Sequence, residues 1–290
     1  MDILVVGNKK GGVAKSTTAG HLGFFAVEIG LRTLVVDLDE GSVTSIFPEA
    51  KEGDKPLLAS MLFSDKDSGR KPRNVAPNLD LIENDTALHD IDGLDLNHLF
   101  AIDDELQKPD AKVSIPTIRK SFNELVAPLD RGLVGRSLAR FAKDYDLCII
   151  DTPPNPSNRL LGALMAADAV LVPMDLDKFT IDRIESFKRT VQGVMKDKSQ
   201  LGKRLRMLGY LPSKVNPQSA KHMQHLIEVR EQYGHDVFDS TVAVRSSIPA
   251  ALSNGHPVWT KARSGAQREA AKEMRKACAE VFHRLQQIKG

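Results

Sequence analysis

Cysteine is almost missing: the 290 residues hold two, Cys148 and Cys278, far apart and without a C-x-x-C pair. That count supports neither a disulfide framework nor a zinc or iron–sulfur site, and it suits a reducing cytoplasm. No apolar run approaches the ~18 residues that span a bilayer, and residues 1–7 carry neither a basic leader nor a cleavage site. Neither secretion nor a transmembrane anchor is therefore expected. Internal repeats and low-complexity tracts are missing as well.

What is present is a globular composition, 41% hydrophobic and 27% charged, which excludes wholesale disorder. The length allows a sizeable core, in one large α/β domain or two small ones. The net charge of +2 is unevenly spread: residues 80–110 carry ten Asp/Glu against one Lys, and residues 261–289 carry eight Lys/Arg against three Glu. A basic C-terminal segment is either a solvated helix face or a polyanion site, and charge alone leaves both open.

Residues 3–6 and 33–36 are short apolar runs, and residues 16–30 between them show helical spacing that ends at Gly30. This is a strand–loop–helix–strand unit. Further apolar runs at 147–150, 169–172 and 207–211 are separated by helix-length segments. The alternation predicts an α/β fold, a mostly parallel twisted sheet with helices on both faces. Residues 51–75 and 103–116, rich in charge, Pro and Gly, read as surface loops or short irregular segments, with a possible strand at 79–82 between them. Residues 121–125 and 133–141 look helical. From 267 to 288, Ala271, Met274, Cys278, Val281, Phe282, Leu285 and Ile288 recur at helical spacing and predict a final amphipathic helix. Such a helix packs on the sheet or lies on a membrane; this one continues straight from the globular pattern, which favours packing.

The first strand ends in Gly7-Asn8-Lys9-Lys10-Gly11-Gly12-Val13-Ala14-Lys15-Ser16-Thr17 and enters the first helix. Backbone N–H groups and a positive helix end then face a phosphate chain, and glycines allow its close approach. Lys15 can reach β- and γ-phosphates, the Ser16 hydroxyl can ligate Mg²⁺, and Thr17 can add an α-phosphate contact. The ordinary G-x-x-x-x-G-K-[ST] signature is not met, since its outer glycine positions hold Lys9 and Ala14. Ala14 is tolerated if φ there is negative; a positive φ costs about 1 kcal/mol or more and slows turnover. Two acids, Asp37 and Asp39, follow the second strand at the end where open α/β sheets bind ligands. Another apolar strand ends in Asp151-Thr152-Pro153-Pro154.

Taken together, these segments resemble the deviant-Walker-A P-loop ATPases of the ParA/MinD family. The loop is similar to the family's N-x-K-G-G-V-G-K-[ST]-T, Asp37-Leu38-Asp39 to its D-x-D switch I, and 151–154 to its D-T-P-P switch II. The family usually continues Pro-Gln where this chain has Glu40-Gly41. The resemblance covers essentially the whole chain and implies one P-loop NTPase domain over 1–290, with ATP and Mg²⁺ as cofactors. It implies that Lys10 crosses to the partner's phosphates in an ATP-dependent homodimer, completing a site with Lys10, Gly11, Gly12, Val13, Ala14, Lys15, Ser16 and Thr17. Asp39 then positions the attacking water, Asp37 supports the metal shell, and Asp151 holds Mg²⁺ through a water. Residues 211–217 fall where the family builds its adenine pocket, so Lys214 and Asn216 are either base contacts or a capped turn. The absence of an N-K-x-D signature favours ATP over GTP.

In biological terms the resemblance implies a ParA-type ATPase, cytoplasmic and nucleoid-associated. It would bind nonspecific DNA and work with a ParB-like partner that stimulates hydrolysis. Lys221, Arg245, Arg268, Lys272, Arg275 and Lys276 are the candidate DNA contacts, because nonspecific binding needs several cations on one face. MinD-like or cargo-positioning cycling, and a slow nucleotide-dependent recruiting module, are the alternatives. No helix-turn-helix precedes the loop, so operator binding by an added domain is not expected.

Overall fold

The computed structural model describes residues 1–40, 43–51, 53–92, 130–177 and 180–288. The helix expected at 121–125 and the loop at 103–116 lie outside them. The strands are β1 (Asp2–Val6), β2 (Thr33–Asp37), β3 (Arg73–Ala76), β4 (Leu79–Ile82), β5 (Leu147–Asp151), β6 (Ala169–Met174), β7 (Arg206–Val215) and β8 (Val242–Ala243). They form one eight-stranded sheet in the order β3-β4-β2-β5-β1-β6-β7-β8. Every pairing is parallel except β3 with β4.

Helices cover both faces, as the alternation of strands and helices predicted. The described helices are α1 (Lys15–Glu28), α2 (Leu88–Ile91), α3 (Leu133–Ala139), α4 (Asn158–Ala166), α5 (Thr180–Gln200), α6 (Ala220–Tyr233), α7 (Ser247–Ser253) and α8 (Gly265–Gln287). Because strand side chains alternate, Leu4 and Val6 join α1, α7 and α8 in one apolar cluster, while Val5 joins α3, α4, α5 and α6 in the other. Each fully buried Leu, Val or Phe contributes roughly 1.5–3 kcal/mol by leaving water. Helix α1 lies close to β2 because Gly23 has no side chain: a Cβ there would stand 3.1 Å from Val35 Cγ2. It ends as expected at Gly30, with φ 87°, where Gly30 N–H donates to Val27 O and Leu31 N–H to Ala26 O.

The segment 51–75 is more ordered than its polar composition predicted. It contains β3 and a 3₁₀ turn over Ala59–Phe63, with Leu57, Leu62 and Phe63 buried. Its few apolar residues are spent on one spot: Phe63 fills the space over Gly162 of α4, where an added Cβ would meet it at 3.0 Å. Strand β3 covers the edge of β4. The apolar face of α8, including Met274, Val281 and Phe282, is buried. That is the packing role expected for it. No described helix is long and apolar enough to cross a membrane.

Among the titratable side chains buried in this core is an imidazole. His21 of α1 is fully buried; its Nδ1 lies 2.7 Å from Thr17 O, and Val258 N–H donates to its Nε2 at 3.3 Å. The ring is thereby held neutral with the proton on Nδ1, and burial pushes its pKa down from 6.5 to about 4. As pH falls, the unfolded chain takes up this proton first, so the stability is complete above 6.5 and is lost toward pH 4. Between about pH 7 and pH 4 the parental chain is expected to lose on the order of 3 kcal/mol more unfolding free energy than His21→Gln. Urea denaturation across that range measures the difference.

Candidate functional site

The parallel register brings the sequence-distant acids together. Strand β5 lies between β1 and β2, and its Asp151 stands opposite both Val6, where the glycine loop begins, and Asp37. The loop is anchored from below: Asn8 is buried and donates through Nδ2 to Pro173 O at 2.7 Å, while its Oδ1 accepts Lys10 N–H at 3.0 Å. Thr152 Oγ1 donates to Val6 O at 3.0 Å and ties the D-T-P-P loop to the same strand.

Above the loop lies a cavity of about 500 Å³ lined by Gly11, Gly12, Ala14, Lys15, Ser16, Thr17 and Asp39, with Pro154 and Lys214 on its walls. No side chain caps the start of α1, so its N–H groups face this space, as a phosphate cradle requires. A Cβ on Gly12 would meet nothing within 4 Å. Val13 of the loop is packed into the core, 1% exposed. Lys15 is buried, and among the described residues its ammonium makes one long hydrogen bond, 3.5 Å to Lys10 O. Burial lowers its pKa while Asp151 and Asp39 oppose the shift. Burial in turn raises the pKa of Asp39, which Lys15 opposes. A buried ammonium so poorly bonded, at an uncapped helix start, fits an anionic ligand.

Asp37 is fully buried; its Oδ1 accepts Asp39 N–H at 3.1 Å, and its Oδ2 accepts Thr44 N–H at 2.7 Å and Asn84 Nδ2 at 2.9 Å. It therefore shapes the loop that carries Asp39. Asp151 is buried on the neighbouring strand, and Ser16 lines the cavity.

Residues 1–205 match the family described as an AAA domain. Protein IncC of Escherichia coli is 32% identical, over 99% of this chain and 70% of the relative. The chain belongs to the ParA/MinD family of P-loop ATPases. The sporulation initiation inhibitor protein Soj of Bacillus subtilis is 26% identical over 88% of this chain and 89% of its own. Apo McdA of Cyanothece shares the fold, with a TM-score of 0.70, 18% identity, and coverage of 97% of this chain and 99% of that one.

The family's second lysine, Lys10, does not line the cavity. Its ammonium is paired within its own chain, with Asp175 and, at 2.9 Å, with Asp177, beside Arg183. Lys214 does line the cavity, in a left-handed conformation with φ 54°. Asn216 is not among the lining residues; its Oδ1 accepts Gln218 N–H at 3.0 Å, closing the turn before α6. The wall that sequence reasoning missed is 242–249 with Met274. Strand β8 is two residues long, too short for a periodic pattern, and Pro249 in the first turn of α7 was the available signal. That wall includes Arg245, which Glu273 grips at 2.6 and 3.1 Å. Arg245 thus leaves the set of exposed candidate DNA cations. Arg275 pairs with Glu28 at 3.0 Å and lies over the Trp259 ring. Arg268, Lys272 and Lys276 are exposed along one face of α8, and Lys221 is exposed at the start of α6.

Ala14 has φ 69° and ψ 30°, the left-handed conformation. The strained alternative is therefore the one realised. Replacing Ala14 by Gly is expected to stabilise the chain by about 1 kcal/mol, since glycine enters this region without steric penalty. A rise in the urea midpoint at constant slope is the readout; no rise would mean that the loop relaxes around alanine.

Proposed function

We propose that this chain is a partition ATPase that binds ATP with Mg²⁺, dimerises on it and holds nonspecific DNA until a ParB-like partner stimulates hydrolysis. The observation that carries the reading is Lys15: a buried ammonium whose one hydrogen bond among the described residues is long, at an uncapped helix start and beside two carboxylates, on a cavity of about 500 Å³. That volume lies within the roughly 300–1,000 Å³ of small-molecule sites. The loop N–H groups and Lys15 bind the phosphates, and the wall at 242–249 with Lys214 receives the base and sugar. Ser16 and Asp151, with Asp37 behind them, would hold Mg²⁺, which would add charge neutralisation at the phosphates. Asp39 on the cavity wall orients the attacking water.

Lys10 is the element given to the second subunit. It exchanges Asp175 and Asp177 for the partner's phosphates, so one cation couples dimerisation to chemistry. Arg268, Lys272 and Lys276, with Lys221, form the DNA-facing charge. They read no bases, and their binding is set by counterion release. The reading places the protein in the cytoplasm on the nucleoid. A slower, recruiting mode of the same switch draws support from the strain at Ala14.

Purified protein is expected to retain DNA only with ATP, and retention is expected to weaken steeply with salt. Replacing Arg268, Lys272 and Lys276 by Ala lowers the salt slope by roughly 1 for each phosphate-neutralising cation removed. ATP-independent or salt-insensitive retention would sink the DNA reading. Lys15→Ala is expected to abolish ATP binding, whereas Lys10→Ala keeps it and loses the dimer. Single-turnover cleavage by the parental chain, abolished in Asp39→Ala, excludes the purely recruiting mode; ATP-dependent liposome binding would instead favour membrane cycling.

A further inference from the structure

Arg159 stands in the first turn of α4, just after the D-T-P-P loop, and is 7% exposed. A cation there opposes the helix dipole, and a buried guanidinium is costly to desolvate. The position would be better served by Asp or Glu for the sake of the helix alone. Its partners lie on two other segments. Nε pairs with Asp92, whose Oδ1 also accepts Arg159 N–H at 3.2 Å. Nη1 donates to Leu38 O at 3.1 Å and to Glu40 Oε1 at 3.3 Å.

Those last two acceptors flank Asp39 in sequence. Arg159 therefore holds the residue before and the residue after the carboxylate on the cavity wall. From the other side Asn84 Nδ2 donates to Asp39 O at 3.0 Å and to Asp37 Oδ2 at 2.9 Å. The backbone of Asp39 is thus fixed from two directions, one of them the helix that follows switch II. Glu40 is the residue at which this chain departs from the family's usual Pro, and it is bound to Arg159 and, at 2.7 Å, to His89. The departure is matched by partners within the chain.

We infer that Arg159 is a positioning residue for hydrolysis: it ties the D-x-D loop to the helix after D-T-P-P, so that Asp39 keeps its aim as the two loops respond to the phosphates. Glu40 strengthens the tie. The inference rests on the role proposed for Asp39. Displacing a reacting group by about 1 Å costs on the order of a hundredfold in rate, so the tie is a rate device with small effect on binding.

The test uses the full chain with Arg159→Gln, Arg159→Lys and Glu40→Gln, each read by single-turnover ATP cleavage, by affinity for a fluorescent ATP analogue, and by hydrogen exchange of residues 38–40 without nucleotide. In Arg159→Gln, cleavage is expected to fall about tenfold to a hundredfold while affinity stays within about threefold. Exchange at 38–40 speeds up, and Arg159→Lys recovers part of the rate. Glu40→Gln, whose side chain is 40% exposed and safe for folding, shows a smaller loss in the same direction that vanishes when Arg159→Gln is also present. Unchanged cleavage in Arg159→Gln, or affinity falling in step with cleavage, overturns the inference. The exchange measurement needs no turnover, so it separates the two claims. Unchanged exchange in both Arg159→Gln and Glu40→Gln overturns the tie whatever Asp39→Ala does. Cleavage that survives Asp39→Ala removes the role of Asp39 and the positioning role with it.

Discussion

A lysine ammonium taken out of water has to be balanced, and most of the site follows from how Lys15 meets that demand. Among the described residues its direct bond is a long one to a backbone carbonyl. The balance comes from Asp151 at the end of β5 and from Asp39 on the loop just beyond the neighbouring β2. Their mutual burial pulls the lysine toward neutrality and Asp39 toward protonation, each restrained by the other's charge. A multiply charged anion at an uncapped helix start satisfies the lysine in a way that the carboxylates do not. The site is thus set for a ligand before the ligand arrives.

Holding such a site open has a structural cost, and it is visible in the surrounding loops. Ala14 is kept in a left-handed conformation so that the loop turns into α1. Asn8 and Asp37 give their hydrogen bonds to positioning backbone. Two acids of the β6–α5 connection hold Lys10. Arg159 occupies a helix position that local preference disfavours. Local rules broken in one small region are the pattern expected where function outweighs stability.

Much of this was legible from residue order. The loop, Asp37, Asp39 and Asp151 lie in short contiguous motifs at strand ends, and strand periodicity located those ends to within a residue or two. The final helix was legible because its apolar residues recur at helical spacing over its whole length. Composition misled at 51–75, where Leu57, Leu62 and Phe63 are few among charges yet sit in the core. The basic residues were legible as charges only: Arg245 and Arg275 carry the same charge as Lys272, but Glu273 and Glu28 engage them.

The amino-acid sequence by itself determined the family, the alternating architecture and the phosphate-binding lysine, because each depends on neighbours along the chain. Tertiary structure decided which groups complete the site. Asp151 stands beside Asp37 through the order of strands in the sheet. Asn84 and Arg159 meet the Asp39 loop from elements far off in sequence, and the wall at 242–249 closes the cavity from the last strand. Those contacts depend on how strands are ordered and helices laid across them, and no local pattern of residue types encodes that order.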